Sequence, residues 1–412
     1  MFPKVFFPTG DPTTATLASL ATFAVGFLAR PIGGLVFGHF GDRIGRKKLL
    51  VISLLMMGLS TFAIGLVPSY ATIGLAAPAL LVALRLLQGF ALGGEWGGAV
   101  LLVSEHGDPA RRGYWASWPQ AGAPGGQLLA NGLLAVLAAV QSPEDFLNWG
   151  WRIPFLLSAV LVLIGLYVRL SVQESPVFQE AKSRAADRAA SGTADTMPIL
   201  QVLRSYPREV LTAMGARFAE NVAYYVFTIV ITTYVITQLQ LSSSFALGAV
   251  LIGAVVHFAT IPMWGALSDR IGRRPVYLFG AVGVGVWAFA FIALLNTRSF
   301  PLAAVAVVVG LVLHGAMYGP QAAFLSELFG TTVRYSGVSI GYQLASILAG
   351  GLAPLIAVAL LGTFHTGYAI SVYVALSAVL TIVAVATYTE TRHRDLATDP
   401  ALNRGEVLDE VG

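Results

Sequence analysis

The residues best placed to do chemistry are a few polar ones set inside long apolar stretches. On the stretch 74–103, Arg85, Gln88, Leu92 and Glu95 fall within a narrow arc at 100° per residue. On 209–237, Arg217, Glu220, Asn221, Tyr224 and Thr228 share one face, and on 300–326 His314, Tyr318 and Gln321 do the same. A charge at a bilayer centre costs about 2.5–3.5 kcal/mol on insertion scales, so such residues face a cavity or a partner. The chemistry they offer is proton carriage by a Glu and neutralisation of an anionic group by an Arg. The alternative is an Arg–Glu pair that neutralises itself between helices. Arg217 lies only a few residues inside its stretch, toward one mouth, which ranks it behind Arg85, Glu95 and Glu220.

Other polar residues point less clearly. His257 stands alone among apolar neighbours and reads as a packed helix-interface histidine rather than a proton relay. His39 is a local hydrogen-bond partner for the loop beside it. Gln120, Gln127, Asn131 and Gln343 either bond substrate or bridge helices. The runs Gly93, Gly94, Gly97, Gly98 and Gly350, Gly351 read as close-packing surfaces. Tyr318-Gly319-Pro320 is expected to unwind its helix locally, as broken helices do at carrier sites. There is no metal-ligand spacing, nucleophile elbow or phosphate-binding glycine loop, which argues against an enzyme. The basic residues are scattered over several loops, which argues against nucleic-acid binding.

The elements that carry these residues follow from composition. Hydrophobic residues make up 56% of the 412 and charged residues only 11%, with a mean hydropathy of +0.74. A soluble domain carries about 25% charged residues, so this chain cannot cover a water-facing surface. Its apolar runs reach about 20 residues, the length that spans a hydrocarbon core of roughly 30 Å. Eleven spans result: 15–40, 49–68, 74–103, 113–140, 152–172, 209–237, 244–268, 275–296, 300–326, 335–362 and 367–389. No cleavable leader is evident. With no cysteine, disulfides and thiolate chemistry are excluded.

Basic residues occupy alternate loops. Arg43, Arg46, Lys47 and Lys48; Arg111 and Arg112; Arg270, Arg273 and Arg274; the segment 173–208; and Arg392 with Arg394 all belong to one side. The positive-inside rule makes that side, and the C-terminus, cytoplasmic. The divisions are then an N-terminal bundle (1–172), a polar cytoplasmic linker (173–208), a C-terminal bundle (209–389) and a cytoplasmic tail (390–412).

The halves repeat. Gly38-His-Phe-Gly-Asp42-Arg43-Ile-Gly45-Arg46-Lys47 returns as Gly265-Ala-Leu-Ser-Asp269-Arg270-Ile-Gly272-Arg273-Arg274. Ser104-Glu105 followed by Arg112 returns as Ser326-Glu327 followed by Arg334. Matching cytoplasmic positions imply parallel repeats about an axis along the membrane normal. Paired charged turns at one surface read as a conformational latch, with Glu105 and Glu327 as partners for the arginines. Two spans precede Asp269 but only one precedes Asp42, so the first half lacks the counterpart of 209–237 and the count is five plus six.

The paired loops, Arg85-Leu-Leu-Gln88-Gly89 and Gln173-Glu174-Ser175-Pro176 resemble the major facilitator superfamily. Phe27-Leu-Ala-Arg30-Pro31, Gly93-Gly94-Glu95-Trp96-Gly97-Gly98 and Gly150-Trp151-Arg152-Ile153-Pro154-Phe155 resemble its metabolite:proton symporter family. That family includes carriers of shikimate, 2-oxoglutarate, citrate and proline or betaine. The resemblance implies an all-α polytopic protein of two bundles with twelve helices, of which the first is missing here. It also implies secondary active transport by alternating access in a bacterial inner membrane, with a small organic acid or zwitterion as substrate. The expectation that goes with it is a proton as coupling ion, no cofactor, and a monomer in the lipid bilayer. The rival readings are a proton-independent facilitator or exporter, and a carrier that does not transport without its first helix.

Overall fold

The computed structural model describes residues 2–8, 12–44, 46–171, 198–330 and 333–394; within these, the side chains of residues 12, 13, 16, 17, 20, 41–44, 46, 105, 138 and 198–200 lie outside the description. Among the described residues the chain is helical with short connections and no strand. In order the helices are α1 (Phe2–Phe6), α2 (Pro12–Ile44), α3 (Arg46–Leu66), α4 (Tyr70–Ile73), α5 (Ala76–His106), α6 (Arg112–Val140), α7 (Pro143–Asn148) and α8 (Ile153–Ser171). Then follow α9 (Pro198–Ser205), α10 (Pro207–Thr237), α11 (Ser243–Ile271), α12 (Arg273–Asn296), α13 (Phe300–Glu327), α14 (Arg334–Phe364) and α15 (Tyr368–Ala386).

Ten of these helices are long and apolar enough to cross a membrane. The remaining predicted span, 113–140, is formed by α6, a 29-residue helix with Pro119 and Pro124 inside it. Most helices also run beyond their apolar cores. Asp269 and Arg270, expected in a loop, are the last turn of α11, and Arg273 opens α12. The connection shrinks to Gly272, whose φ of 109° is the left-handed region that favours glycine. In the segment 173–208, α9 forms one short helix and α10 starts at Pro207, while 172–197 lie outside the described residues.

Helix continuity differs from expectation in one instructive way. α13 runs unbroken through Tyr318-Gly319-Pro320. Packing explains it: a Cβ on Gly319 would lie 2.6 Å from the Ile261 carbonyl oxygen, and Gln120 Nε2 donates to the Tyr318 carbonyl at 3.3 Å. Neighbouring helices thus hold the backbone that a proline would otherwise loosen. The irregular turns fall elsewhere, as single wide π-type turns at Val226–Val230 of α10 and Ser346–Gly351 of α14, a feature common at functional sites.

Inside the first half, α2 and α5 meet backbone to backbone. A Cβ on Gly89 would lie 1.9 Å from the Gly26 oxygen, one on Gly33 1.9 Å from the Phe90 oxygen, and one on Gly93 2.0 Å from the Arg30 oxygen. Without a hydrophobic drive between helices in lipid, such close van der Waals contact holds them together. In the second half α10, α12, α13 and α15 pack around a core of small and aromatic residues. The two groups meet where α2 lies on α14 and where α6 lies on α11 and α13. On α6, a Cβ at Gly122, Gly126 or Gly132 would have no heavy atom within 4 Å, so that face stands open.

Gly89→Val must push α2 off α5, an overpacking that costs about 1–3 kcal/mol. The expected outcome is a melting temperature several degrees lower in detergent, read by size-exclusion thermostability, whereas Gly122→Val leaves it unchanged.

Candidate functional site

At the centre of the second half, α10 presents Arg217 and Glu220 one turn apart. Arg217 Nη1 donates to Glu220 Oε2 at 2.5 Å, with both side chains nearly fully buried. Gln321 of α13 serves both: its Oε1 accepts from Arg217 at 3.0 Å and its Nε2 donates to Glu220 at 3.3 Å. Its amide also reaches the Tyr277 hydroxyl at 2.8 Å, which in turn donates to the Ala216 carbonyl. The second Glu220 oxygen meets His314 Nε2 at 3.2 Å, and His314 Nδ1 meets His257 Nε2 at 2.9 Å. His257 Nδ1 ends this chain with no hydrogen-bond partner. The pattern has one consistent neutral assignment: each imidazole donates through Nε2 and accepts through Nδ1, leaving His257 Nδ1 as a vacant proton acceptor.

This arrangement corrects two readings. His257 is packed at the α11–α13 interface, but it does not stand alone there: the two helices run close enough to bring it against His314. Arg217, the eleventh residue of the 31-residue α10, does not face an open mouth: its side chain is buried against Glu220, Gln321 and the Tyr342 ring.

Aromatic rings line the approach to the pair. The Arg217 guanidinium sits 3.3 Å over the Tyr342 ring, which stacks on Trp96 at 3.6 Å and 20°. Trp96 Nε1 donates to Gln120 Oε1 at 2.6 Å, so α5, α6, α10, α13 and α14 converge here. Tyr224 donates across the halves to Gln127 at 3.2 Å, and its ring and the Tyr318 ring both lie beside His314. Asn221 and Thr228 spend their visible bonds on their own helix, donating to the Arg217 and Tyr224 carbonyls. Gln343 donates to the Gly93 carbonyl at 2.9 Å, a helix bridge.

The α5 stripe does not join this centre. Arg85 donates to Gln88 at 3.1 Å, Gln88 donates to Thr61 at 2.7 Å, and Phe2 of α1 lies 5.7 Å from the Arg85 guanidinium. Glu95 is bound to Arg169 of α8. Arg169 was not anticipated, since it stands at the end of its span like any flanking cation. The stripe's angular spacing was right, but α3 and α8 take up its partners before the second half is reached.

At the loop-motif face a second ionic cluster joins the halves. Asp269 accepts from the Gly113 and Tyr114 amides of α6 at 2.8 and 2.9 Å and from Arg273 at 2.6 Å. Glu327 accepts from Arg273 at 3.1 Å, from Arg112 at 3.3 Å and from the Thr391 hydroxyl at 2.6 Å. Gly265 makes the seam possible, since its Cβ would lie 2.5 Å from the Gly113 oxygen; Gly38 lies against Ser336 in the corresponding seam. Arg334 Nε donates to the Phe329 carbonyl at 3.1 Å, while Arg270 offers its own carbonyl to Arg392. Gly45 and the side chains of Asp42, Arg43, Arg46 and Glu105 lie outside the described residues.

The segment after α15 closes over this cluster, a docking that no motif or spacing indicates. Glu390 accepts backbone N–H bonds from Arg273, Arg274, Thr391 and Arg392 at 2.9–3.0 Å. Burial opposes its ionisation, but the four donors outweigh that and hold its carboxyl below the usual range.

Membrane-length helices in two groups, a buried ionic centre and a charged cluster joining the groups at one face have the build of a membrane transporter. The sugar (and other) transporter family matches residues 4–400, and the chain belongs to it, within the major facilitator superfamily. It is 44% identical over 402 residues to the inner membrane metabolite transport protein YhjE of Escherichia coli, covering 96% of this chain and 89% of that one. It is 39% identical over 376 residues to the E. coli shikimate transporter, covering 90% and 84%. Its fold matches the proton:xylose symporter XylE bound to 6-bromo-6-deoxy-D-glucose with a TM-score of 0.74 at 19% identity, over 94% of this chain and 89% of that one.

Two outcomes test the latch. On this cysteine-free chain, a thiol introduced by Ser117→Cys lies buried in the seam. Adding Glu327→Gln should speed its maleimide labelling about tenfold, the loss of about 1.4 kcal/mol from the closed form; an unchanged rate would count against the latch. The second outcome concerns Glu390. A carboxyl depressed in the docked tail supports docking fully above the ordinary value of 4.5 and loses it as pH falls through the lowered one. Melting temperature should therefore fall on the acid side of that window, and Glu390→Gln should remove that part of the dependence.

Proposed function

We propose that this transporter is a proton-coupled symporter of a small carboxylate-bearing metabolite, an organic acid or a zwitterion, in a bacterial inner membrane. The single observation that carries the reading is the buried chain His257–His314–Glu220–Arg217. A proton arriving at His257 Nδ1 displaces the Nε2 proton to His314 Nδ1, and His314 passes its own Nε2 proton to Glu220. Neutral Glu220 no longer holds Arg217 by charge, and the freed guanidinium turns to a substrate carboxylate. Substrate and proton then occupy the site together, which is the requirement for symport. The bundles 1–172 and 209–389 rock about the site, and the latch face with the C-terminus lies in the cytoplasm. The names of the relatives support a metabolite as cargo, and shikimate is the first compound to try.

A proton-independent facilitator is the second reading, favoured by the close Arg217–Glu220 pair that neutralises itself at rest. Proteoliposomes separate the two. An inward proton gradient should drive accumulation of the transported compound by the wild-type protein. Glu220→Gln should abolish that accumulation while keeping counterflow exchange of the same compound. Accumulation by Glu220→Gln equal to wild type would overturn the reading.

A further inference from the structure

Arg30 is the one residue of this region whose charge the mechanism above leaves unused. It projects from α2, in the first half, toward the centre built by the second. Its guanidinium lies 3.6 Å over the Phe27 ring, and it reaches the Tyr225 hydroxyl. Its Nε is buried without a hydrogen-bond partner. The Phe27 ring beneath Arg30 packs on Tyr225 of α10, the helix that carries Arg217, and Arg217 lies over Tyr342 of α14, so both guanidiniums belong to one buried region.

The surroundings are closely packed. Phe27 contacts Tyr225 at 5.9 Å between centroids, and a Cβ on Gly350 would lie 2.8 Å from the Phe27 ring and 3.3 Å from Asn221 Oδ1. Gly350 and Gly351 lie in the wide turn of α14 and both face Phe27, so the backbone there is shaped to admit that ring beneath Arg30. The charge balance is the decisive fact. Two arginines face the region and Glu220 is the one acid that the described residues place beside them, since Glu95 is occupied by Arg169. Two like charges in a medium of low dielectric repel strongly unless an anion lies between them. A carboxylate fits a guanidinium in a two-point hydrogen bond.

We propose that Arg30 is the specificity-determining anchor that the first half supplies for a substrate carboxylate, gripping it opposite Arg217 so that one anion ties the two bundles together. The inference rests on the symport reading for Arg217 and adds a residue to it. An anion bound between cations on opposite bundles removes their repulsion and favours the form in which the halves are closed on it. Substrate without the carboxylate leaves that repulsion in place, so selectivity for the anion and closure of the carrier have the same origin.

The test has two arms on the full chain. In the first, the melting temperature in detergent is followed with succinate, benzoate, shikimate and glycine betaine, each against its own amide. At least one carboxylate should raise the melting temperature of wild type more than its amide. Arg30→Gln should weaken that binding about tenfold or more, the loss of one charged hydrogen-bond partner, with Arg30→Lys in between. In the second arm no ligand is needed. Arg30→Glu places a carboxylate opposite Arg217, so it should melt higher than Arg30→Gln.

Equal response to acid and amide across the panel, or Arg30→Glu melting no higher than Arg30→Gln, would overturn the proposal. Failure here is separable from failure of the symport reading. If Arg30→Gln binds carboxylates as wild type does while Glu220→Gln loses proton-driven accumulation, only the anchor is wrong. The converse result removes only the proton assignment.

Discussion

A guanidinium and a carboxylate 2.5 Å apart in the middle of a membrane helix constrain everything packed around them. Each alone would cost about 2.5–3.5 kcal/mol at that depth, and their attraction offsets desolvation only when the remaining lone pairs and protons are satisfied. The second half is organised to do this. Gln321 contacts both members, Tyr277 holds Gln321, His314 takes the second oxygen of Glu220, and Tyr342 covers the face of Arg217. Ser346, at the start of the wide turn in α14, accepts from Arg217 Nε at 3.4 Å. The wide turns in α10 and α14 therefore flank the pair rather than lying at random.

The same helices carry the ionic cluster at the loop-motif face. α13 bears His314 and Gln321 at its middle and Glu327 at its end; α11 bears His257 and, three turns on, Asp269. α6 brings Gln120 to the centre and Gly113 to that cluster. A packed interior resists continuous deformation and shifts between discrete arrangements. Any change in the ionic centre that tilts α11 or α13 therefore acts on Asp269 and Glu327 through rigid helices. The tail adds a third tie, because Thr391 shares Glu327 with Arg273 and Arg112.

The helical architecture was legible because apolar runs of bilayer length leave few alternatives, and the repeated loops gave the pairing of halves. Composition misjudged the ends, since helices continue past their apolar cores into charged turns, as α11 does through Arg270. The polar faces of α10 and α13 were read from spacing alone, and the structure brings them together at Glu220, Gln321 and His314. Spacing on one helix cannot tell which neighbour that face meets. Thus Glu95 went to Arg169, Arg85 to Gln88, and the isolated His257 found a partner 57 positions away. Pro320 carried a local signal for a break, but tertiary packing against α6 and α11 overrode it.

If protonation of Glu220 releases Arg217 for substrate, then substrate binding and proton uptake are one linked equilibrium. The direct measurement is the number of protons taken up when a transported carboxylate binds the purified protein in weakly buffered solution near neutral pH. The account predicts close to one proton for wild type and none for Glu220→Gln. Binding by wild type with no proton uptake, or equal uptake by both proteins, would contradict it.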